Sequence, residues 1–343
     1  MSMIRVAING FGRIGRAFFR TAHSRSEIEI VAVNDLTTPD NLAYLLKYDT
    51  VYGRAKFDVG ADDGAFVVDG KKIPVLAEKD PAKLPWKDLS VDVVVESTGF
   101  FTDAEKARAH ITAGAKKVVI SAPAKASPPA GGGADTILVG ANDEKFNTCG
   151  DVTSNASCTT NAASPLIGIL DEAIGIEKAL LNTTHAYTAT QAIVDGAASD
   201  DWRRGRAGAL NLVPSSTGAA KATTLAYGSL SGKFDGISVR VPVPAGSIAD
   251  VTFIAKRDTT AEEVNDILRK AAASDRWKRV FAASDEQLVS SDILGLPYGS
   301  IADLTMTRVV GGNLVKVLGW YDNEMGYAHT LVEHTLEVAK RLR

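Results

Sequence analysis

Cys158 stands in the run Ser154-Asn155-Ala156-Ser157-Cys158-Thr159-Thr160-Asn161. A strand-like stretch precedes it, and over 159–174 Leu166, Ile169, Leu170 and Ala173 fall on one helical face. A thiol at a helix N-terminus feels the positive end of the macrodipole, which favours thiolate, the nucleophilic form. Ser157 and Thr159 flank it with hydroxyls suited to gripping an oxyanion. Further along, His185 lies in Thr184-His185-Ala186-Tyr187-Thr188 after an apolar run ending at Leu181. An imidazole beside the thiol would raise the thiolate fraction and then serve as general base and acid. Each residue also has a plain structural reading, a small buried hydrophobe or a satisfied core histidine. Spacing alone does not bring them together; the fold must.

A second constellation opens the chain. Gly10, Gly12 and Gly15 form G-x-G-x-x-G directly after a short apolar strand, 4–9, and at the start of a helix carrying Ile14, Ala17 and Phe18. Gly10 would permit a tight turn, Gly12 the close approach of a pyrophosphate, and Gly15 close helix–strand packing. The amides of Arg13 and Ile14, at the helix N-terminus, would face the anion. Asp35 ends the next strand, 29–34, at the spacing where an acidic residue meets the ribose hydroxyls of a dinucleotide. A carboxylate there repels a 2′-phosphate, which points to NAD over NADP.

The elements that position these residues alternate through the first half. Strand signals at 4–9, 29–34, 91–96, 118–121 and 137–140 alternate with helical ones, and Thr102 with Glu105 makes a capping box for a helix to 113. Such repeated βαβ units imply a parallel doubly wound sheet of the α/β class. A proline- and glycine-rich stretch, 125–135, is expected as a surface loop. Beyond Asp151 strands at 237–243, 249–255 and 314–321 and a helix at 261–273 suggest an α+β domain with a mostly antiparallel sheet. A helix over 327–343 closes the chain, its basic end suiting a C-terminus.

Composition narrows the setting. The 343 residues suffice for two cores, and a net charge of −3 gives no general attraction for nucleic acid or an anionic membrane. No apolar run is long enough to span a bilayer, and the N-terminus lacks the features of a secretory signal. With only Cys149 and Cys158, no disulfide framework and no cysteine-based metal site are expected, which fits a reduced, cytoplasmic location.

Eight ordered blocks make the chain resemble the phosphorylating glyceraldehyde-3-phosphate dehydrogenases along nearly its whole length. They are 9–16 (NGFGRIGR), 45–49 (LLKYD), 96–102 (ESTGFFT), 154–161 (SNASCTTN), 184–191 (THAYTATQ), 215–222 (SSTGAAKA), 239–244 (VRVPVP) and 320–327 (WYDNEMGY). The resemblance implies a Rossmann NAD-binding domain over 1–157 and 323–343, the last helix returning to it, and a catalytic domain over 158–322. It implies oxidative phosphorylation of glyceraldehyde 3-phosphate through a hemithioacetal and a thioester on Cys158, with His185 handling protons. By the same resemblance Thr188 and Arg240 hold the substrate phosphate, and Ser157, Thr159, Thr217 and Gly218 hold the attacking inorganic phosphate. Asn323 would fix the nicotinamide carboxamide, and Ser121 and Lys79 the adenosine side. Lys79 replaces the arginine expected there, and position 162 is Ala where many relatives carry a second cysteine.

The resemblance also reads the basic segment 201–206 (DWRRGR) as part of a loop at a subunit interface and implies a homotetramer. An erythrose-4-phosphate dehydrogenase would share the chemistry but hydrolyse its thioester, and the second anion site argues against it. A purely adhesive role would need no thiolate. The small pair Gly196-Ala197 stands where NAD-specific relatives usually have a proline, leaving the NAD preference to rest on Asp35 and on Leu36, which resembles the NAD-specific pattern.

Overall fold

The structure, a computed structural model, describes residues 3–125 and 133–342. It divides into two compact units. The first comprises Met1–Leu138, Asn142–Ala156 and Ala328–Arg343; the second comprises Val139–Ala141 and Ser157–Tyr327. Residues 139–141, 157 and 323–327, expected with the first unit, therefore belong to the second.

In the first unit the strands are β1 (Ile4–Asn9), β2 (Ile28–Asn34), β3 (Val59–Asp62), β4 (Ala65–Val68), β5 (Lys71–Leu76), β6 (Val93–Glu96), β7 (Lys117–Ile120), β8 (Asp135–Thr136) and β9 (Val152–Ser154). They form one sheet in the order β3-β4-β5-β2-β1-β6-β7-β9-β8, parallel from β5 to β8, with β3–β5 an antiparallel extension. Strands buried on both faces need no polar alternation, which is why β1 and β6 are almost entirely apolar. β1 lies between β2 and β6, so successive crossovers leave it in opposite directions. A crevice opens at the carboxyl ends of strands at such a switch point. The helix α1 (Arg13–Ala22) starts there, and α2 (Pro39–Lys47) follows β2.

Two expectations change here. The helix expected from Thr102 is two short ones, α3 (Ala104–Ala107) and α4 (Ala109–Thr112), and the cap is Asp103, whose Oδ1 accepts from the Glu105 amide at 2.9 Å. The strand expected over 137–140 is a turn. The Leu138 amide donates to Asn142 Oδ1 at 2.8 Å, and Gly140 takes φ +86°, so the ladder cannot continue. β9 pairs with β7 in its place. The loop expected over 125–135 lies largely outside the described residues.

The second unit is built on α5 (Cys158–Ile174) and a seven-stranded sheet, ordered β11-β12-β10-β13-β16-β15-β14. Its strands are β10 (Ile176–Ala186), β11 (Val213–Ser216), β12 (Phe234–Val241), β13 (Ser247–Ala255), β14 (Phe281–Ser284), β15 (Ser300–Val310) and β16 (Leu314–Tyr321). Only β10–β12 and β14–β15 pair in parallel; the other four pairings are antiparallel. α5 lies on β10, β13, β15 and β16 and buries Leu166, Ile167 and Leu170 completely. Short α6 (Ala219–Thr223) packs on α5 and β12, and α7 (Ala261–Ala272) on α5, β14 and β15. The last helix, α8 (Met325–Ala339), ends in the first unit, where His334 Nε2 meets Thr153 Oγ1 at 2.8 Å.

Candidate active site and dinucleotide site

Each glycine of the opening motif has its own steric reason. Gly10 has φ +91°, and a Cβ there would lie 2.6 Å from the Thr98 amide. A Cβ on Gly15 would stand 2.1 Å from the Gly10 carbonyl oxygen, so helix and turn could not close on one another. Gly12 caps α1, and a Cβ there would meet nothing within 4 Å. Space left open at a helix N-terminus is what an approaching anion needs. The first helical bond runs from Arg16 N to Gly12 O, so the Ile14 amide lies ahead of the ladder. The Arg13 side chain turns away to Asp49 at 2.5 Å and contributes through its backbone position.

Asp35 follows β2 with both oxygens engaged by backbone: Phe11 N donates at 2.8 Å and Thr37 N at 3.0 Å. The carboxylate therefore braces the glycine turn and keeps further lone pairs for a ligand. Asp35, Leu36 and Lys79 line a cavity of about 450 Å³ with Gly10, Gly12 and Phe100. Ser121 follows β7 at the same edge of the sheet, its amide on the Glu96 carbonyl, but does not line this cavity.

Beneath the turn a buried network ties the strand ends together. Asn34 exchanges hydrogen bonds with the Glu78 backbone, one residue before Lys79, and donates to Asn9 Oδ1 at 2.7 Å. Asn9 in turn donates to Glu96 at 2.6 Å. Trp86 Nε1 donates to His110 Nδ1 at 2.9 Å, so His110 presents its Nε2 hydrogen to Glu96 at 3.0 Å.

In the second unit, Ser157 caps α5, its Oγ accepting from the Thr160 amide at 3.1 Å. Cys158 is consequently the first helical residue, partly exposed, in the stretch where the macrodipole acts. Residue Ala156, two positions earlier, holds φ +54°, an uncommon conformation for a residue with a side chain. His185 comes near the end of the long strand β10 and places Nε2 3.4 Å from Cys158 Sγ. Its Nδ1 lies 2.6 Å from the Ala186 carbonyl oxygen. Two acceptors do not sit so close without a proton between them, so Nδ1 carries the hydrogen and Nε2 faces the sulfur bare.

Burial pushes the Cys158 thiol up, against the opposing pull of Arg240 and of hydrogen bonds from Thr159. Burial, with Arg240 second, lowers His185 to about 3. Desolvation of the sulfur thus opposes the thiolate that the helix position favours, while Arg240 and Thr159 support it.

Parallel register sets Arg240 of β12 directly beside His185 of β10. Its Nη1 reaches the Ala186 carbonyl at 3.3 Å and Thr188 Oγ1 at 3.4 Å. No carboxylate pairs with it among the described residues, and its Nε is buried without a partner. Arg204, whose Nε and Nη2 donate to Ser215 Oγ at 2.9 and 2.6 Å, adds a second positive charge that lowers Arg240 further. A half-buried cation with a buried, unused donor is a site awaiting an anion. Thr159 Oγ1 joins the Tyr321 hydroxyl at 2.9 Å. Thr217 and Gly218 start α6, where a Cβ on Gly218 would meet open space, and neither bonds to the pair. Asn323 is buried, its Oδ1 accepting from Gly246 N at 3.1 Å and Ser247 Oγ at 3.0 Å, which leaves its amide hydrogens to donate elsewhere.

Two family models match the chain: "Glyceraldehyde 3-phosphate dehydrogenase, NAD binding domain" over 4–104 and "Glyceraldehyde 3-phosphate dehydrogenase, C-terminal domain" over 157–323. The chain belongs to the glyceraldehyde 3-phosphate dehydrogenase family. Among curated members of that family, a glyceraldehyde-3-phosphate dehydrogenase of Streptomyces coelicolor is 49% identical over 341 residues, covering 99% of each chain. Those of Clostridium pasteurianum and Borreliella burgdorferi are 46% and 47% identical, over 98% of this chain and 100% of theirs. The first unit thus contains the family's NAD-binding domain.

Two residues of this dehydrogenase's site escape a linear reading. Arg204 lies in a segment that reads as a solvated basic loop. Its one signal is that Arg203 pairs with Asp201 and Arg206 with Asp195, which leaves Arg204 without a carboxylate at ion-pair distance among the described residues. Tyr321 has no signal beyond its place in the 320–327 block.

Proposed function

We propose that this protein oxidises glyceraldehyde 3-phosphate to the acyl phosphate 1,3-bisphosphoglycerate, with inorganic phosphate as second substrate. The observation that carries the reading is the thiol–imidazole pair, 3.4 Å apart, beside an arginine with no carboxylate partner. NAD, when bound, accepts the hydride. The residues fit it: Gly12 leaves open space at the start of α1, Asp35 and Lys79 line the adjoining cavity, and Arg13, Ile14 and Ser121 stand at the same sheet edge. Asn323, its oxygen already engaged, has amide hydrogens free for a carboxamide carbonyl.

Cys158 attacks the aldehyde carbon while His185 Nε2 takes the thiol proton, giving a hemithioacetal; the Ala186 carbonyl on Nδ1 supports the imidazolium that forms. Arg240 and Thr188 hold the substrate phosphate. Because Arg240 depresses His185, an anion seated on it relieves part of that depression and makes the imidazole a better base. Oxidation of the hemithioacetal leaves a thioester, which keeps the carbonyl activated. Thr159, Thr217 and the Gly218 amide orient inorganic phosphate for attack on it. Ser157, whose Oγ accepts the Thr160 amide in capping α5, can turn its hydroxyl hydrogen to the same phosphate.

A homotetramer and a cytoplasmic location, where a free thiol stays reduced, belong to the same reading. Ile193, Val194, Trp202, Leu210 and Leu212 are all exposed, more apolar surface than one short segment ordinarily shows to water. Sedimentation at the mass of one chain would sink that part. No helix of the described residues is long and apolar enough to cross a membrane.

The deciding assay follows NADH formation with glyceraldehyde 3-phosphate, with and without inorganic phosphate, for the parent and Cys158→Ser. We expect turnover to require phosphate and to vanish in the variant. Phosphate-indifferent turnover would favour hydrolysis of the thioester, and an active Cys158→Ser would end the reading.

A further inference from the structure

Asn323 is buried, and its backbone is fixed by the residue before it. Asp322 Oδ1 accepts from the Glu324 and Met325 amides at 2.9 and 3.0 Å, and its Oδ2 from the Gly295 amide at 2.8 Å. What remains open is the side-chain amide of Asn323, whose two ends are alike in shape and opposite in hydrogen bonding. Two donors converge on one end: Gly246 N is 3.1 Å and Ser247 Oγ 3.0 Å from Asn323 Oδ1. A backbone N–H can only donate, so the atom it meets is the oxygen, and the amide is set this way round. Gly246 holds φ +86°, and a Cβ there would lie 2.6 Å from the Ser290 carbonyl oxygen, so only glycine brings that amide in.

The same logic settles the Ser247 proton. Ser247 opens β13, and the register of β10 with β13 ends at the pair Thr184 and Ile248. Past that pair the Ala186 amide donates to Ser247 Oγ at 3.1 Å. The hydroxyl accepts this bond and has one hydrogen left, which goes to Asn323 Oδ1, an acceptor only. The sense therefore runs from the Ala186 N–H through the Ser247 hydroxyl to the Asn323 carbonyl, each end held by a group with no alternative. Ala186 acts at its other end too, because its carbonyl takes the His185 Nδ1 hydrogen at 2.6 Å. One residue of the base strand thus orients the imidazole directly and the Asn323 amide through Ser247. No hydrogen bond among the described residues uses Asn323 Nδ2.

We propose that Ser247 is a positioning residue for the dinucleotide, which holds the Asn323 amide with its oxygen engaged and its Nδ2 hydrogens free for the carboxamide of the nicotinamide ring. The proposal rests on the reading that Asn323 holds that carboxamide, and its test measures binding and needs no turnover. Without the Ser247 hydroxyl only Gly246 restrains the amide, which then samples other orientations that a ligand must suppress on binding. Ser247 itself touches neither substrate nor cofactor in this role; it acts through Asn323.

The test compares NAD with ADP-ribose, which keeps the adenosine, pyrophosphate and second ribose but lacks the nicotinamide, by calorimetric titration of the nucleotide-free full chain. Ser247→Ala should raise the NAD dissociation constant about three- to tenfold and leave that of ADP-ribose within about twofold of the parent. In an Asn323→Ala background the same substitution should move neither constant further, since the amide it positions is gone. Ser247→Ala also strands the buried Ala186 amide, so a lower melting temperature is expected and the ratio of the two affinities is the measure. Equal changes on both ligands would overturn the proposal, as would no change on either. So would a NAD-specific loss that persists in the Asn323→Ala background. If Ser247→Ala does not fold, Ser247→Cys, whose thiol fills the same space and donates weakly, decides by the same ratios. Asn323→Ala alone separates premise from proposal. If it leaves the ratio of NAD to ADP-ribose affinity unmoved, the carboxamide reading of Asn323 falls and the proposal with it. If it moves the ratio and Ser247→Ala does not, only the proposal falls.

Discussion

Replacing Arg240 by leucine isolates what the buried guanidinium does. In the parent its Nε is buried without a partner among the described residues, and its Nη1 makes only long contacts, 3.2 Å to His185 Nδ1, 3.3 Å to the Ala186 carbonyl and 3.4 Å to Thr188. No carboxylate is orphaned by its removal, so the fold should lose little; a buried cation without a counter-ion is no source of stability. A phosphoryl group would instead take two charge-assisted hydrogen bonds from the fork, each worth about 1.5–3 kcal/mol. Losing both costs about 3–6 kcal/mol, or about 10²–10⁴-fold in kcat/KM. The assay compares glyceraldehyde 3-phosphate with unphosphorylated glyceraldehyde for parent and Arg240→Leu, with thermal melting as the control. The loss should fall on the phosphorylated substrate, and the unphosphorylated one should change by less than about threefold. Equal losses on both substrates would refute the assignment and make Arg240 a positioning group for His185.

Two further perturbations test the fold beneath the chemistry. His185 and His334 are both held neutral, lowered to about 3 chiefly by burial. The unfolded chain takes up the protons that these sites refuse, so their contribution is whole above about pH 6.5 and is lost as pH falls toward 3, amounting to about 2 kcal/mol each at pH 5. Urea melts at pH 7 and pH 5 should show that loss, and coincident midpoints would contradict it. Gly12→Ala should leave the melting temperature within about 1 °C, since its Cβ meets nothing, yet weaken NAD binding measured by fluorescence titration. Gly15→Ala should lower both, because its Cβ would stand 2.1 Å from the Gly10 carbonyl. A Gly15→Ala variant as stable as the parent would show that the turn can relax.

Local sequence carried a large part of this protein. The G-x-G-x-x-G turn, the Asp at the end of the second strand and the apolar period behind Cys158 are short-range patterns, and short-range sterics enforce them. β1, β2 and α5 accordingly form within a residue of the expected ends, and α1 follows the glycine turn as the pattern places it. Elements whose limits depend on competing hydrogen bonds were less legible. Asp103 outcompetes Thr102 as a cap, and Asn142 takes the Leu138 amide that would have extended a strand. Neither contest is visible in a periodicity.

What only the tertiary structure decides is which distant side chains share a dielectric. Cys158 and His185 are 27 positions apart, and a strand ending near a helix N-terminus makes them neighbours at 3.4 Å. Parallel register brings Arg240 alongside His185, and β16 slides Tyr321 beneath both. The sequence named a cysteine at a helix start and so predicted a thiolate. Tertiary burial raises the cost of charge on that sulfur, against the pull of Arg240, and neither effect is visible from the helix position. Residue identity and spacing settle which groups are available for chemistry; desolvation and register, which no linear window contains, settle their protonation state and their partners.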